Sequence, residues 1–221
     1  MSDCDDFARR RAMLGLAASS LAWSCGGRVA DPDPAAAPPP ATKPTPDAPA
    51  AALGLERIGT PAPPWDVPFV GGAGPTLSSL RGRAVLLRFW TDTCPFCRAT
   101  APALVAIDDA FRDRNVTVVG MYHPKPRGTQ RSAEDVGKVA RDFGFVFPVG
   151  LDLQWAVLDA YWLSLPGRRY TSVSFVIDPA GIIQFVHPGP EFHPDGPADH
   201  EQCRRDYEAV TAALEAAAQT A

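Results

Sequence analysis

Long hydrophobic runs are missing from this chain of 221 residues, and so is an excess of basic charge. The main apolar run near the N-terminus, Ala12 to Trp23, is about twelve residues, too short to span a bilayer. Its composition, 46% apolar and 21% charged, also excludes a polytopic membrane protein. A net charge of -4 leaves no basic footprint for nucleic acid. There is no internal repeat, and no second C-x-x-C to complete a four-cysteine zinc site. What the chain has in unusual number is proline, 24 residues, together with five cysteines, and both are unevenly placed.

Arg9, Arg10 and Arg11 precede the short apolar run, which suits the h-region of an export signal. Arg10-Arg11-Ala12-Met13-Leu14 resembles a twin-arginine signal, although Asp3, Asp5 and Asp6 are atypical of such a leader. Leu21-Ala22-Trp23-Ser24-Cys25-Gly26 resembles a bacterial lipobox with its leucine one position too early, so lipidation of Cys25 and plain cleavage both stand as readings. From Asp31 to Ala52, 16 of 22 residues are Pro or Ala, an extended spacer and not a folded unit. The expected organisation is an export signal over 1–25, a Pro/Ala-rich linker over 26–52 and one folded domain over 53–221. Such a chain belongs in the periplasm or on the outer face of a membrane, free or tethered through Cys25.

Within the domain, Arg83 to Trp90 reads as a central strand buried on both faces. A helix follows from Pro95 to Arg114, with proline in its first turn. Val116 to Tyr122 is a second strand, which completes a βαβ unit and implies parallel pairing. Ser132 to Phe143 reads as a helix capped by Ser132 and stopped by Gly144. Ser174 to Asp178 and Ile182 to His187 flank Pro179-Ala180-Gly181 as an antiparallel hairpin. An Ala-rich amphipathic helix runs from about Asp199 to Ala218. The segment Trp65 to Leu80 suggests a small N-terminal hairpin, and Val157 to Tyr170 a loop over the site. The fold class is α/β, a mixed sheet between helices.

Cys94-Pro95-Phe96-Cys97 stands where the first strand hands over to the first helix. A thiolate there meets unpaired backbone N–H groups and the positive end of the helix dipole, both of which lower its pKa. Cys94, at the exposed end, is the expected nucleophile, and Cys97, one turn in, the resolving thiol. A structural disulfide and half of a zinc site are the competing readings.

These residues resemble the thioredoxin-like superfamily, and within it the exported TlpA/ResA type with its redoxin-like neighbours. The resemblance runs from about residue 56 to 190. It is carried by Thr76 to Arg83, Val85 to Trp90, the C-P-F-C helix start with Arg98 and Pro102, and Phe175 to Gly181. It implies a thioredoxin-like sheet of four to five strands between helices, and exchange of disulfides with another protein. No cofactor and no metal is implied beyond the redox-active Cys94–Cys97 pair.

Three departures from that family pattern stand out. Arg88 occupies the place of the buried proton-accepting aspartate of thioredoxin; it either favours a thiolate by its charge or reaches out to solvent. Ser172 replaces the cis-proline that faces the disulfide, and its peptide bond is expected trans. The aromatic stretch around Tyr161 is longer than a connector needs. His123, at the carboxyl end of the second strand, is the best histidine for proton transfer, and its run Met121 to Lys125 resembles redoxin domains of the DipZ type.

His187, His193, His200 and Cys203 could suggest a metal cluster, but intervening prolines spread them over loop and helix. Cys203 is the odd thiol, expected half-buried and inert. The expected activity is that of an exported thiol–disulfide oxidoreductase with Cys94, Cys97, His123 and Arg88 as its site. Its partners are protein thiols or disulfides of exported proteins and a membrane electron donor. Two alternatives compete. A peroxiredoxin-type thiol peroxidase is favoured by Thr91 three residues before Cys94 and opposed by Leu87 seven before. A Sco-like metal-delivery module is opposed by the C-x-x-C spacing.

Overall fold

The computed structural model describes residues 54–168 and 170–220. The leader, Cys25 and the linker lie outside them. Five strands form one sheet in the order β3-β2-β1-β4-β5. In chain order the elements are β1 (Ala84–Trp90), α1 (Pro95–Phe111), β2 (Val116–Tyr122), α2 (Ala133–Asp142), β3 (Val149–Leu151), a single α-helical turn α3 (Ala156–Leu158), β4 (Ser174–Ile177), β5 (Ile183–His187) and α4 (Glu201–Ala218). β1 pairs parallel with β2, and β2 with β3. On the other side, β1 pairs antiparallel with β4, and β4 with β5.

All seven residues of β1 are buried, because both faces of the sheet are covered. Its side chains alternate between two cores. Ala84, Leu86 and Trp90 join Leu104 and Ile107 of α1, Val136 of α2 and Leu214 of α4. Val85, Leu87 and Phe89 join Trp65, Phe69, Leu158, Tyr161 and Trp162 on the opposite face. By this period of two, Arg88 faces the layer that holds α1 and α4. The three layers bury most of the apolar side chains that make the sheet stable.

Local chemistry sets the boundaries. Ser132 accepts from the amide of Asp135 at 3.1 Å and donates to its carboxylate at 2.7 Å, which fixes the start of α2. Gly144 ends it with φ +79°, a conformation that costs glycine little. The amide of Gly181 donates to the Asp178 carbonyl at 2.8 Å and closes the turn between β4 and β5.

Two expectations change. The N-terminal hairpin reduces to one antiparallel bridge between Phe69 and Gly72, followed by a 3-10 turn at Ser78–Leu80. The loop expected over the site is instead helical: α3 continues as a π-helical stretch, Asp159–Leu163, that buries Tyr161 and Trp162 in the core. Asp152 organises this start, accepting from the amides of Val157 (3.2 Å) and Leu158 (2.8 Å). Apolar burial of two large aromatics outweighs what looked like a surface connector.

Candidate active site

Cys94 is the N-cap of α1, with extended backbone at φ -96° and ψ 117°, and Pro95 opens the helix behind it. The next turn carries Cys97 inward, so that Cys94 is partly exposed and Cys97 buried. Both are free thiols. Hydrogen bonding pulls Cys94 down to about 5: the Cys97 side chain contributes most, and Ser172 and the amides of Cys97 and Phe96 add to it against the cost of burial. The same bond, which Cys97 donates, pushes the Cys97 thiol well above its usual range, and burial pushes it further. At neutral pH the outer sulfur is the thiolate and the inner one its proton donor.

Ser172 sits against both sulfurs, its Oγ 3.1 Å from Cys97 Sγ and 3.5 Å from Cys94 Sγ. The sequence placed Ser172 opposite the pair without assigning it a role. The cis peptide bonds among the described residues are Lys125–Pro126 and Gly189–Pro190, so Thr171–Ser172 is trans as expected. With no ring at this position, a hydroxyl able to donate and accept takes its place.

Arg88 does not reach solvent. It is completely buried, and its guanidinium donates to Ser174 Oγ at 3.1 Å and to the Pro190 carbonyl at 2.8 Å. Ser174 is its cross-strand neighbour, so register alone brings the two together. Phe192 stacks 5.5 Å from the guanidinium, and the buried Arg88 Nε has no hydrogen-bond partner. Burial lowers the Arg88 pKa, while charge on Cys97, Cys94 and Glu191 opposes that shift. A buried guanidinium is costly unless anions act on it, and here the Cys94 thiolate and Glu191 do.

His123 makes no hydrogen bond to this arrangement. The ring is fully buried, neither nitrogen has a hydrogen-bond partner, and its contact is with the Trp155 ring at 5.0 Å. Burial, aided by the charges of Lys125 and Arg88, lowers its pKa to about 3. A group that weakly basic stays neutral through the range where thiols exchange, and no hydrogen bond joins it to either cysteine. The sequence identified a strand-end histidine; it could not show that Trp155 closes over it.

The histidine cluster also differs from expectation. His187 is buried beside Asp206, at 3.3 Å, and stands apart. Glu191 joins His193, His200 and Cys203 in its place. Cys203 is not half-buried but completely buried.

Comparison with known proteins places this geometry. The model of the AhpC/TSA family matches residues 58–186. The chain is 31% identical to the thiol-disulfide oxidoreductase ResA of Bacillus subtilis over 139 residues, which cover 62% of this chain and 71% of ResA. It is 29% identical over 110 residues to the protein DipZ of Mycobacterium bovis, covering 50% of this chain but spanning only 15% of DipZ. A thiol:disulfide interchange protein of the thioredoxin family from Chlorobium tepidum superposes with a TM-score of 0.55 at 23% identity, covering 72% of this chain and 97% of its own. The fold is therefore thioredoxin-like, and the chain belongs to the AhpC/TSA family of redoxins.

Proposed function

We propose that the protein is an exported thiol–disulfide oxidoreductase of the ResA type that exchanges disulfides with protein partners through Cys94 and Cys97. The observation that carries this reading is the asymmetry of the pair: a partly exposed sulfur drawn down to about 5 beside a buried one held protonated. In one direction the Cys94 thiolate attacks a partner disulfide, forming a mixed disulfide and releasing one partner thiolate. Cys97 then gives up its proton and attacks Cys94. The Cys94–Cys97 disulfide forms and the second partner thiolate leaves, so two electrons pass to the partner. The reverse sequence oxidises a partner dithiol.

Within this reading Ser172 is the contact through which the Cys97 proton moves, and Arg88 supports the anionic form of the pair. Export and a tether at Cys25 are part of the proposal and draw on the leader sequence. Among the described residues no helix is long and apolar enough to cross a membrane. A membrane electron donor fits that location.

The test is trapping. Cys97→Ser should accumulate mixed disulfides through Cys94 with exported proteins, and Cys94→Ser should form none. Rapid turnover of hydrogen peroxide by reduced protein, with no mixed disulfide in the Cys97→Ser variant, would instead establish a peroxidase.

A further inference from the structure

On the far side of Arg88 the chain between β5 and α4 folds back on itself. Pro190 accepts from Arg88, Phe192 stacks on it, and Glu191 lies between them, buried to 5% exposure. The side chains of Glu191, His193 and His200 converge there, with ligand atoms within 4.8 Å of one another. We propose that these three residues bind a divalent transition-metal ion of the zinc class, at a site separate from the dithiol.

The donor atoms have the right chemistry. His193 Nδ1 is hydrogen-bonded to the Asp195 carbonyl, which can only accept, so Nδ1 carries the proton. The lone pair of the neutral ring is then on Nε2, and a backbone carbonyl holding the other nitrogen is how metal-binding histidines are commonly oriented. His193 Nε2 points at His200 Nδ1 across 3.1 Å. Two imidazole nitrogens on one tetrahedral zinc ion, at about 2.0–2.1 Å each, stand about 3.3 Å apart. A small opening of the pair therefore admits the ion. Glu191 supplies the anionic oxygen. Ligating carboxylates accept hydrogen bonds from neighbouring groups at the same time, so its other contacts are compatible with ligation.

The backbone is fitted to this cluster. Gly196 adopts φ +129°, and a Cβ there would stand 3.0 Å from His193 Cε1 and 3.2 Å from His200 Nδ1. Glycine lets the loop close over both rings. Cys203 Sγ lies in the same cluster, 3.9 Å from Glu191 Oε1, and the proposed set does not include it. Two imidazoles and a carboxylate leave a fourth position for water, a set that suits zinc or cobalt better than magnesium or calcium.

The experiment is a cobalt(II) titration of the full chain with Cys94 and Cys97 oxidised, so that the dithiol cannot ligate. Visible absorption should report one equivalent bound and zinc should displace it. Affinity should fall about a hundredfold in His193→Ala and in His200→Ala, and about tenfold in Glu191→Gln. The Cys94→Ser/Cys97→Ser double variant should bind as the parent does. Both histidines are only partly buried, so their variants are expected to keep the parent melting temperature in the absence of metal. Equal cobalt affinity in the parent and in folded His193→Ala and His200→Ala, or no binding by the parent at micromolar cobalt, overturns the site. Because the dithiol is blocked throughout, failure here leaves the proposed disulfide exchange intact.

Discussion

The hydroxyl of Ser172 lies 3.1 Å from the Cys97 sulfur and 3.5 Å from that of Cys94. One group thus contacts the anion of the outer cysteine and the thiol of the inner one. In the proposed exchange the Cys97 proton leaves a buried site when Cys97 attacks the mixed disulfide, and the Ser172 hydroxyl is within hydrogen-bonding distance to receive it.

Ser172→Ala should therefore raise the Cys94 pKa by about one unit, the order expected for losing one hydrogen bond to a charged group at a partly exposed site. Release of the mixed disulfide should slow as well. The absorbance of the thiolate against pH reads the first effect and stopped-flow reduction the second. A variant with unchanged pKa and unchanged release would show that Ser172 only fills space.

Arg88→Asn removes a charge completely buried behind Cys97. The reduced pair then loses an opposing cation, so the disulfide becomes less oxidising, by about 30 mV for each 1.4 kcal/mol lost. Stability should also fall by about 1–3 kcal/mol, because Ser174 and the Pro190 carbonyl lose a donor. Equilibration with glutathione measures the potential and urea unfolding the stability. Lost stability with an unchanged potential would make Arg88 a structural residue alone.

The contrast between Arg88 and His123 shows what was legible in the sequence. The apolar run of β1 and the helix start at Pro95 locate Cys94 and Cys97, because those signals are local. Alternation along β1 also gives the face on which Arg88 lies, but the Pro190–Phe192 segment that covers it is 102 residues away for the Pro190 contact. For the same reason the burial of His123 was not legible: Trp155, with φ at 65°, packs against it from another element. β3 has only three residues and takes its identity from pairing with β2, not from a pattern of its own. Tyr161 and Trp162 lie in a π-helical stretch whose spacing matches neither the helix nor the strand period.

The two thiols should separate on a pH scale. Alkylation of the reduced protein should rise through about pH 5 and level off by neutral pH as Cys94 becomes fully ionised, with Cys97 unreacted there. Linkage gives a second readout. The folded Cys94 pKa lies below the usual value of 9.0, so the reduced protein gains stability relative to Cys94→Ser as pH rises from about 5 toward 9 and loses that gain as pH falls through 5. Modification that begins only above pH 8 would place the thiolate elsewhere.

His123 should govern part of the acid sensitivity. In the unfolded chain it protonates near 6.5, but in the folded protein only near 3, so between these values the unfolded state binds the extra proton. Stability then falls as pH drops below 6.5. His123→Leu removes that proton sink and, since both ring nitrogens lack partners, breaks no hydrogen bond. At pH 7.5 the variant should match the parent closely or exceed it. At pH 4.5 it should be more stable by about 2–3 kcal/mol, the value of two pKa units. His187, also buried with a lowered pKa and with Asp206 beside it, leaves a residual acid dependence in both proteins. Urea unfolding at the two pH values decides the matter. Parallel losses in parent and variant would mean that His123 is protonated within the fold well above pH 3, and that Trp155 does not seal it from water.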